Sequence, residues 1–70
     1  MTYWESKTRV YAIDGLTVVS CIDKRNLKFV SVEYSSIDWT ALEEIRKSEF
    51  EIFRTKAIEL MNEKNYKFNQ

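Results

Sequence analysis

Seventy residues with eleven basic and eleven acidic side chains describe one small domain, with a modest core whose stability leans on staples or association. A single cysteine, Cys21, and no histidine exclude an intrachain disulfide, a cysteine-only zinc cluster and the common mixed zinc sites. The cancelled charge gives no long-range pull toward nucleic acid or a membrane, and no run approaches the roughly 20 apolar residues of a membrane span.

The chain opens with MTYWESKTR, which has no apolar core of the signal-peptide type, so a cytoplasmic location is expected. Ile, Lys, Asn, Phe and Tyr are plentiful, Gly occurs once and Pro never. That bias is common in AT-rich genomes, including small phage and plasmid proteins, and makes a viral or plasmid origin the prior. No repeat, linker or low-complexity run divides residues 1–70. The only glycine sits in Asp14-Gly15, between runs rich in Val, Thr, Ile and Tyr. Asp-Gly in a two-residue loop is a hairpin signal, because a type I′ turn needs φ > 0 at both positions. Strands are predicted over about 7–13 and 16–22. The polar run Asp23-Lys24-Arg25-Asn26 then precedes a third, LKFVSVEY, at 27–34.

After Tyr34 the apolar period changes from two to 3.6. Asp38 is a good N-cap with Ile37 and Leu42 at the staple positions, and Thr40 with Glu43 forms a competing capping box. A helix is predicted over about 39–65. Acids crowd its start (Asp38, Glu43, Glu44) and bases its end (Arg54, Lys56, Lys64, Lys67), as the macrodipole prefers. Glu43–Lys47 and Glu63–Lys67 are favourable i,i+4 pairs, and the final KFNQ is expected to fray. Such a helix spans about 39 Å at 1.5 Å per residue. A seven-residue strand spans only about 23 Å, so the helix should overhang the sheet.

The loop lengths suggest a register. It pairs Ile13 with Leu16, Tyr11 with Val18, Val10 with Val19, Ile22 with Leu27, Ser20 with Phe29 and Val19 with Val30. Alternation then places Thr8, Val10, Ala12, Thr17, Val19, Cys21, Val30, Val32 and Tyr34 on one mostly uncharged face, with Lys28 at its end. That face is expected under the helix. The other carries Lys7, Arg9, Tyr11, Ile13, Leu16, Val18, Ser20, Ile22, Leu27, Phe29, Ser31 and Glu33, too apolar for a solvated sheet face. On the helix, Trp39, Leu42, Phe50, Phe53, Ala57, Leu60 and Met61 form a stripe. Ile45 and Ile52 flank it, and Ile58 lies off it. A small sheet cannot cover all of this, so the surplus points to another chain.

Little in the sequence carries chemistry. Cys21 has no histidine to activate it and falls on the face expected beneath the helix, so it reads as a buried, inert thiol. Glu33 with Asp38, and Glu59 with Glu63, lack any metal-spacing motif and read as solvated acids. Ser35-Ser36 has no base partner, and one glycine cannot build a phosphate cradle. No catalytic, metal or cofactor-binding residue and no small-molecule substrate is expected. Lys7, Arg9, Tyr11 and Phe29, with Lys24 and Arg25 at the adjacent turn, carry an alternative. Some small modules lay the outer face of a three-stranded sheet in the DNA major groove. Such a face normally presents more basic residues and fewer leucines and valines. The aromatics Tyr3, Trp4, Tyr66 and Phe68 can either anchor a partner or lie across the ends of the core.

The sequence thus predicts a dimeric α+β domain, a three-stranded antiparallel meander followed by one long C-terminal helix on one face (βββα). The expected function is non-enzymatic protein binding of regulator or inhibitor type, by homodimerisation and by occupying the surface of a partner protein. Expected partner-binding residues are Tyr11, Leu16, Val18, Leu27, Phe29 and Arg9. Expected dimer contacts are Ile52, Ile58, Leu60 and Met61. A small DNA-binding regulator is the alternative.

Overall fold

The computed structural model describes the backbone of residues 1–68 and the side chains of residues 1–63. Four antiparallel strands, β1 (Thr2–Glu5), β2 (Arg9–Asp14), β3 (Thr17–Asp23) and β4 (Glu43–Ile45), form one sheet in the order β3-β2-β1-β4. One helix, α1 (Lys47–Phe68), follows. The α+β class is as predicted. The three-stranded meander is not: β1 and β4 join the sheet, and residues 27–34 form no strand.

β1 exists because Ser6 turns the chain. Its Oγ accepts the N–H groups of Thr8 and Arg9 at 3.3 and 3.1 Å, and its own N–H donates to the Arg9 carbonyl at 2.9 Å. TYWE is thereby laid antiparallel on β2, Tyr3 opposite Ala12 and Glu5 opposite Val10. The β2–β3 hairpin forms at the glycine, but its loop is Gly15-Leu16 and not Asp14-Gly15. Asp14 pairs with Thr17, and Gly15 has φ 60° while Leu16 stays at negative φ. Glycine alone at the first central position fits a type II′ turn.

A bulge then changes the register. Ile13 pairs with Val18, but Ala12 pairs with Ser20, leaving Val19 unpaired on β3. Beyond it Tyr11 faces Cys21 and Val10 faces Ile22. The predicted Val10–Val19 pairing is therefore wrong by three residues. An odd shift exchanges the two faces of a strand. The faces of β2 stand as predicted, with Val10 and Ala12 under the helix. Those of β3 are exchanged there: Ile22 lies under the helix and Cys21 on the far side.

After β3 the chain makes a tight turn. The Leu27 N–H donates to the Asp23 carbonyl at 2.9 Å, and Asp23 Oδ1 accepts the Arg25 N–H at 2.8 Å. Leu27 closes the turn at φ 57°, a left-handed conformation costly for a side chain of this size. Residues 28–30 touch the β3 edge, with Asp23 N–H to the Lys28 carbonyl at 2.9 Å and Val30 N–H to the Cys21 carbonyl at 2.8 Å. The chain then crosses the far face instead of extending along the edge. Val30, Val32, Tyr34, Ile37 and Leu42 pack over Tyr11, Ile13 and Cys21. Much of the apolar surplus of the outer face is thus covered by this chain itself.

This strap, residues 30–42, contains two 3₁₀ turns, Tyr34–Ser36 and Trp39–Ala41. Asp38 is a cap as predicted, its Oδ1 accepting the Thr40 N–H at 3.1 Å, but it caps the second 3₁₀ turn and not the long helix. Trp39 is off the helix and stands edge-on to Trp4 at 5.1 Å, with Tyr34 at 5.6 Å. Among the described residues, no backbone hydrogen bond joins residues 31–42 to the sheet. Side-chain packing holds the strap.

α1 begins at Lys47 and not near 39, because Glu43–Ile45 is taken up as the edge strand beside β1. Phe50, Ala57, Val10, Ala12 and Ile22 make the helix-side core, with Tyr3, Leu27, Ile45 and Phe53 against it. Tyr3 and Phe50 rings lie 5.3 Å apart. The fully buried Val10, Ile22 and Phe50 side chains each contribute about 1.5–3 kcal/mol. The overhang is as expected: the 22-residue helix runs about 33 Å, and the molecule measures 44 × 22 × 20 Å. Lys64, Tyr66, Lys67 and Phe68, singled out above, have side chains outside the described residues. Among the described residues no helix is long and apolar enough to cross a membrane.

Candidate interaction surfaces

The ten residues expected at interfaces divide into separate groups. Tyr11, expected on an open outer face, is 8% exposed beneath the strap, where it lines a cavity with Lys7, Thr8, Asp38, Thr40 and Leu42. Arg9 is half-buried at the start of β2, opposite Asp23. Leu16 is 76% exposed at the hairpin tip. Leu16 and Val18 line a slot of about 420 Å³ with Thr17 and, across from them, Val32, Glu33, Tyr34 and Ser35 of the strap.

Leu27 and Phe29 lie on the helix side of the sheet and not on the outer face. They meet Leu60 and Met61 of the expected dimer set, with Lys28 and Ala57, around a groove of about 430 Å³. Phe29 remains 42% exposed and Met61 49%. The groove sits beyond the β3 edge, where α1 leaves the sheet. Ile52 is exposed elsewhere on the helix, among Ser48, Glu51, Thr55, Lys56 and Glu59, and Ile58 is half-buried. The four expected dimer residues thus do not share one surface.

The edge of β3 is the feature that sequence reasoning missed. Residues 28–30 cover its C-terminal half. Among the described residues, no backbone hydrogen bond reaches Thr17–Ser20 from that side. In a two-residue hairpin the residues flanking the loop form the closely bonded pair, so Val18 turns its N–H and C=O outward. Val19, expected under the helix, is 54% exposed in the bulge. No charge stands on TVVS. The opposite edge, β4, is three residues long and carries exposed Glu43 and Glu44, the usual protection of an edge. The unprotected stretch is visible in sequence only if its position at an edge is already known.

The basic set is partly engaged inside the fold. Lys24 Nζ lies 3.0 Å from Glu5 Oε2, donates to the Ser6 carbonyl at 2.7 Å and sits 5.9 Å from the Phe53 ring centre. The strap covers Tyr11 and Ile13 of the sheet face that the DNA-groove reading lays against a duplex, while Lys7 and Arg25 remain exposed. Burial pushes the Cys21 thiol up to about 11, the Arg9 charge opposing and Asp23 reinforcing the shift. The thiol is therefore protonated at neutral pH and a poor nucleophile.

Compared with protein-family models, with curated proteins and with solved structures, the chain finds no match in any of the three.

Proposed function

We propose that this chain is a non-enzymatic protein-binding domain that takes an extended segment of another protein along the open half of β3. The observation that carries the reading is the uncharged, unpaired edge Thr17–Ser20 beside the slot of Leu16, Val18, Val32 and Tyr34. Strand addition draws affinity from main-chain hydrogen bonds and specificity from pockets for alternate side chains. The edge supplies the first and the slot the second. Leu16 and Val18, from the expected partner set, keep their role here. A regulator or inhibitor that occupies a partner's segment would work in this way.

Two substitutions test it. Val19→Lys places a charge on the edge, and Val18→Pro removes an outward N–H without touching the β2 ladder. Both variants should stay folded by circular dichroism. A protein retained by the wild-type chain from cells of its source should be lost with both. If every retained protein survives both substitutions, the edge is not the binding surface.

A further inference from the structure

We propose that the cavity between the strap and the β1–β2 turn binds a free α-amino acid with an apolar side chain. It shares no lining residue with the slot beside the β3 edge, and the inference stands apart from the strand-addition reading. Binding alone is proposed, with no reaction of the bound molecule.

The cavity measures about 590 Å³, within the about 300–1,000 Å³ usual for small-molecule sites. Lys7 and Thr8 of the turn form one wall, Asp38 and Leu42 of the strap another, and Tyr11 of β2 lies between them. Tyr11 carries the argument. The residue is more than nine-tenths buried, at 8% exposure, yet its hydroxyl makes no hydrogen bond to any described residue. Nor is the hydroxyl sealed away: among the described residues, no fully enclosed side-chain oxygen or nitrogen lacks a partner. The phenol oxygen therefore opens into the cavity that Tyr11 lines. A tyrosine hydroxyl this deep in a fold ordinarily finds a hydrogen-bond partner, and the cavity is where one can enter.

The charges on the walls select the ligand. Lys7 makes no ion pair among the described residues, Asp38 included. Asp38 holds Thr40 through Oδ1, which accepts both its N–H, at 3.1 Å, and its hydroxyl. Oδ2 takes no hydrogen bond from a described residue. A simple anion drawn to Lys7 would meet the Asp38 carboxylate, and a simple cation drawn to Asp38 would meet the Lys7 ammonium. A zwitterion answers both. Its carboxylate accepts from the Lys7 ammonium and the Tyr11 hydroxyl, and its ammonium donates to Asp38 Oδ2. Leu42, half-buried, and the Tyr11 ring give the remaining part of the molecule an apolar bed, which favours an uncharged, apolar side chain. Lys7 and Asp38 are exposed, so their pull is screened by solvent and the phenol adds the more sheltered contact. No backbone hydrogen bond among the described residues joins residues 31–42 to the sheet. A ligand linking Asp38 to Lys7 and Tyr11 therefore also ties the strap to the sheet.

The test is a nuclear magnetic resonance titration of the full chain with L-leucine, L-methionine and L-phenylalanine at millimolar concentration. At least one should shift the amide signals of residues 6–11 and 36–42. The N-acetyl and the carboxamide derivatives of that amino acid each lack one of its two charges. Each should bind at least about tenfold more weakly, the loss of one charge-assisted contact. Tyr11→Phe and Lys7→Gln should weaken the parent amino acid to a similar degree. Tyr11→Phe should also melt where the wild type does, because the hydroxyl it removes has no partner in the protein. The inference is overturned if none of the three amino acids shifts those signals, or if either derivative binds as well as its parent. It is equally overturned if either variant binds like the wild type, or if Tyr11→Phe melts lower, which would show the hydroxyl already engaged inside the fold.

Discussion

Replacing Ile22 by alanine, beside Val19→Ala, discriminates between the register set by the bulge and the one the alternation suggests. Ile22 has 0% exposure between Val10, Phe50 and Ala57, while Val19 is 54% exposed. Alanine at 22 removes three carbons from a fully enclosed site. At about 0.8 kcal/mol per buried methylene the transfer loss is about 2.4 kcal/mol, and the unfilled cavity raises the total toward the 2–5 kcal/mol typical of such changes. In a domain of this length each kcal/mol shifts Tm by about 4–8 °C, so Ile22→Ala should lower Tm by more than about 10 °C. Val19→Ala removes two carbons already largely in water and should cost less than about 1 kcal/mol. Urea and thermal melts followed by circular dichroism, at one fixed protein concentration because association adds stability, measure both. If Val19→Ala destabilised the fold as much as Ile22→Ala, Val19 would lie under the helix and the bulge would be absent.

Trp39→Ala should cost about 1–3 kcal/mol, from aromatic contacts with Trp4 and Tyr34 worth about 0.5–1.5 kcal/mol each. It should leave helix content unchanged while altering the near-ultraviolet signal; a loss of helix content would return Trp39 to a helix. At position 27 the usual order of glycine and alanine should reverse. Leu27→Ala keeps the left-handed strain at φ 57° whereas Leu27→Gly relieves it, so the glycine variant should melt no lower. An alanine variant more stable by about 1 kcal/mol would contradict the positive φ. Cys21 ionises near 9 when unfolded and only near 11 when folded. Stability is therefore fully present below pH 9 and falls as pH rises from 9 toward 11. Cys21→Ala should remove that part of the decline, and equal slopes for both proteins in alkaline urea melts would show the thiol to be solvated.

Two of the exposed apolar surfaces are half legible. The sequence picks out Leu16 and Val18 for a partner, and Leu60 and Met61 for a second copy, because apolar residues in surplus of what a small core can bury are a compositional signal read without coordinates. Their grouping was not legible. Leu27 and Phe29 moved from the outer face to the helix groove because the turn at Leu27 and the odd register shift decide which side of the sheet each one reaches. The open edge of β3 was invisible for a related reason. An edge is defined by where the next strand is not, and the sequence predicts residues 27–34 as that strand.

The chain's local chemistry, by itself, determined the hairpin at Gly15, the faces of β2 and a C-terminal helix bearing Phe50, Phe53 and Ala57. Each depends on a turn residue or a repeat contained in one short run. Tertiary structure alone decided that TYWE is a strand, that Val19 bulges, that residues 30–42 cover the second face and that Asp38 caps a 3₁₀ turn. Those outcomes turn on competition between distant segments. The apolar set from Val30 to Leu42 is buried whether it continues as strand and helix or folds over Tyr11, Ile13 and Cys21. The second arrangement also covers a sheet face that the first would leave in water, and that free energy comes from residues some twenty positions earlier in the chain.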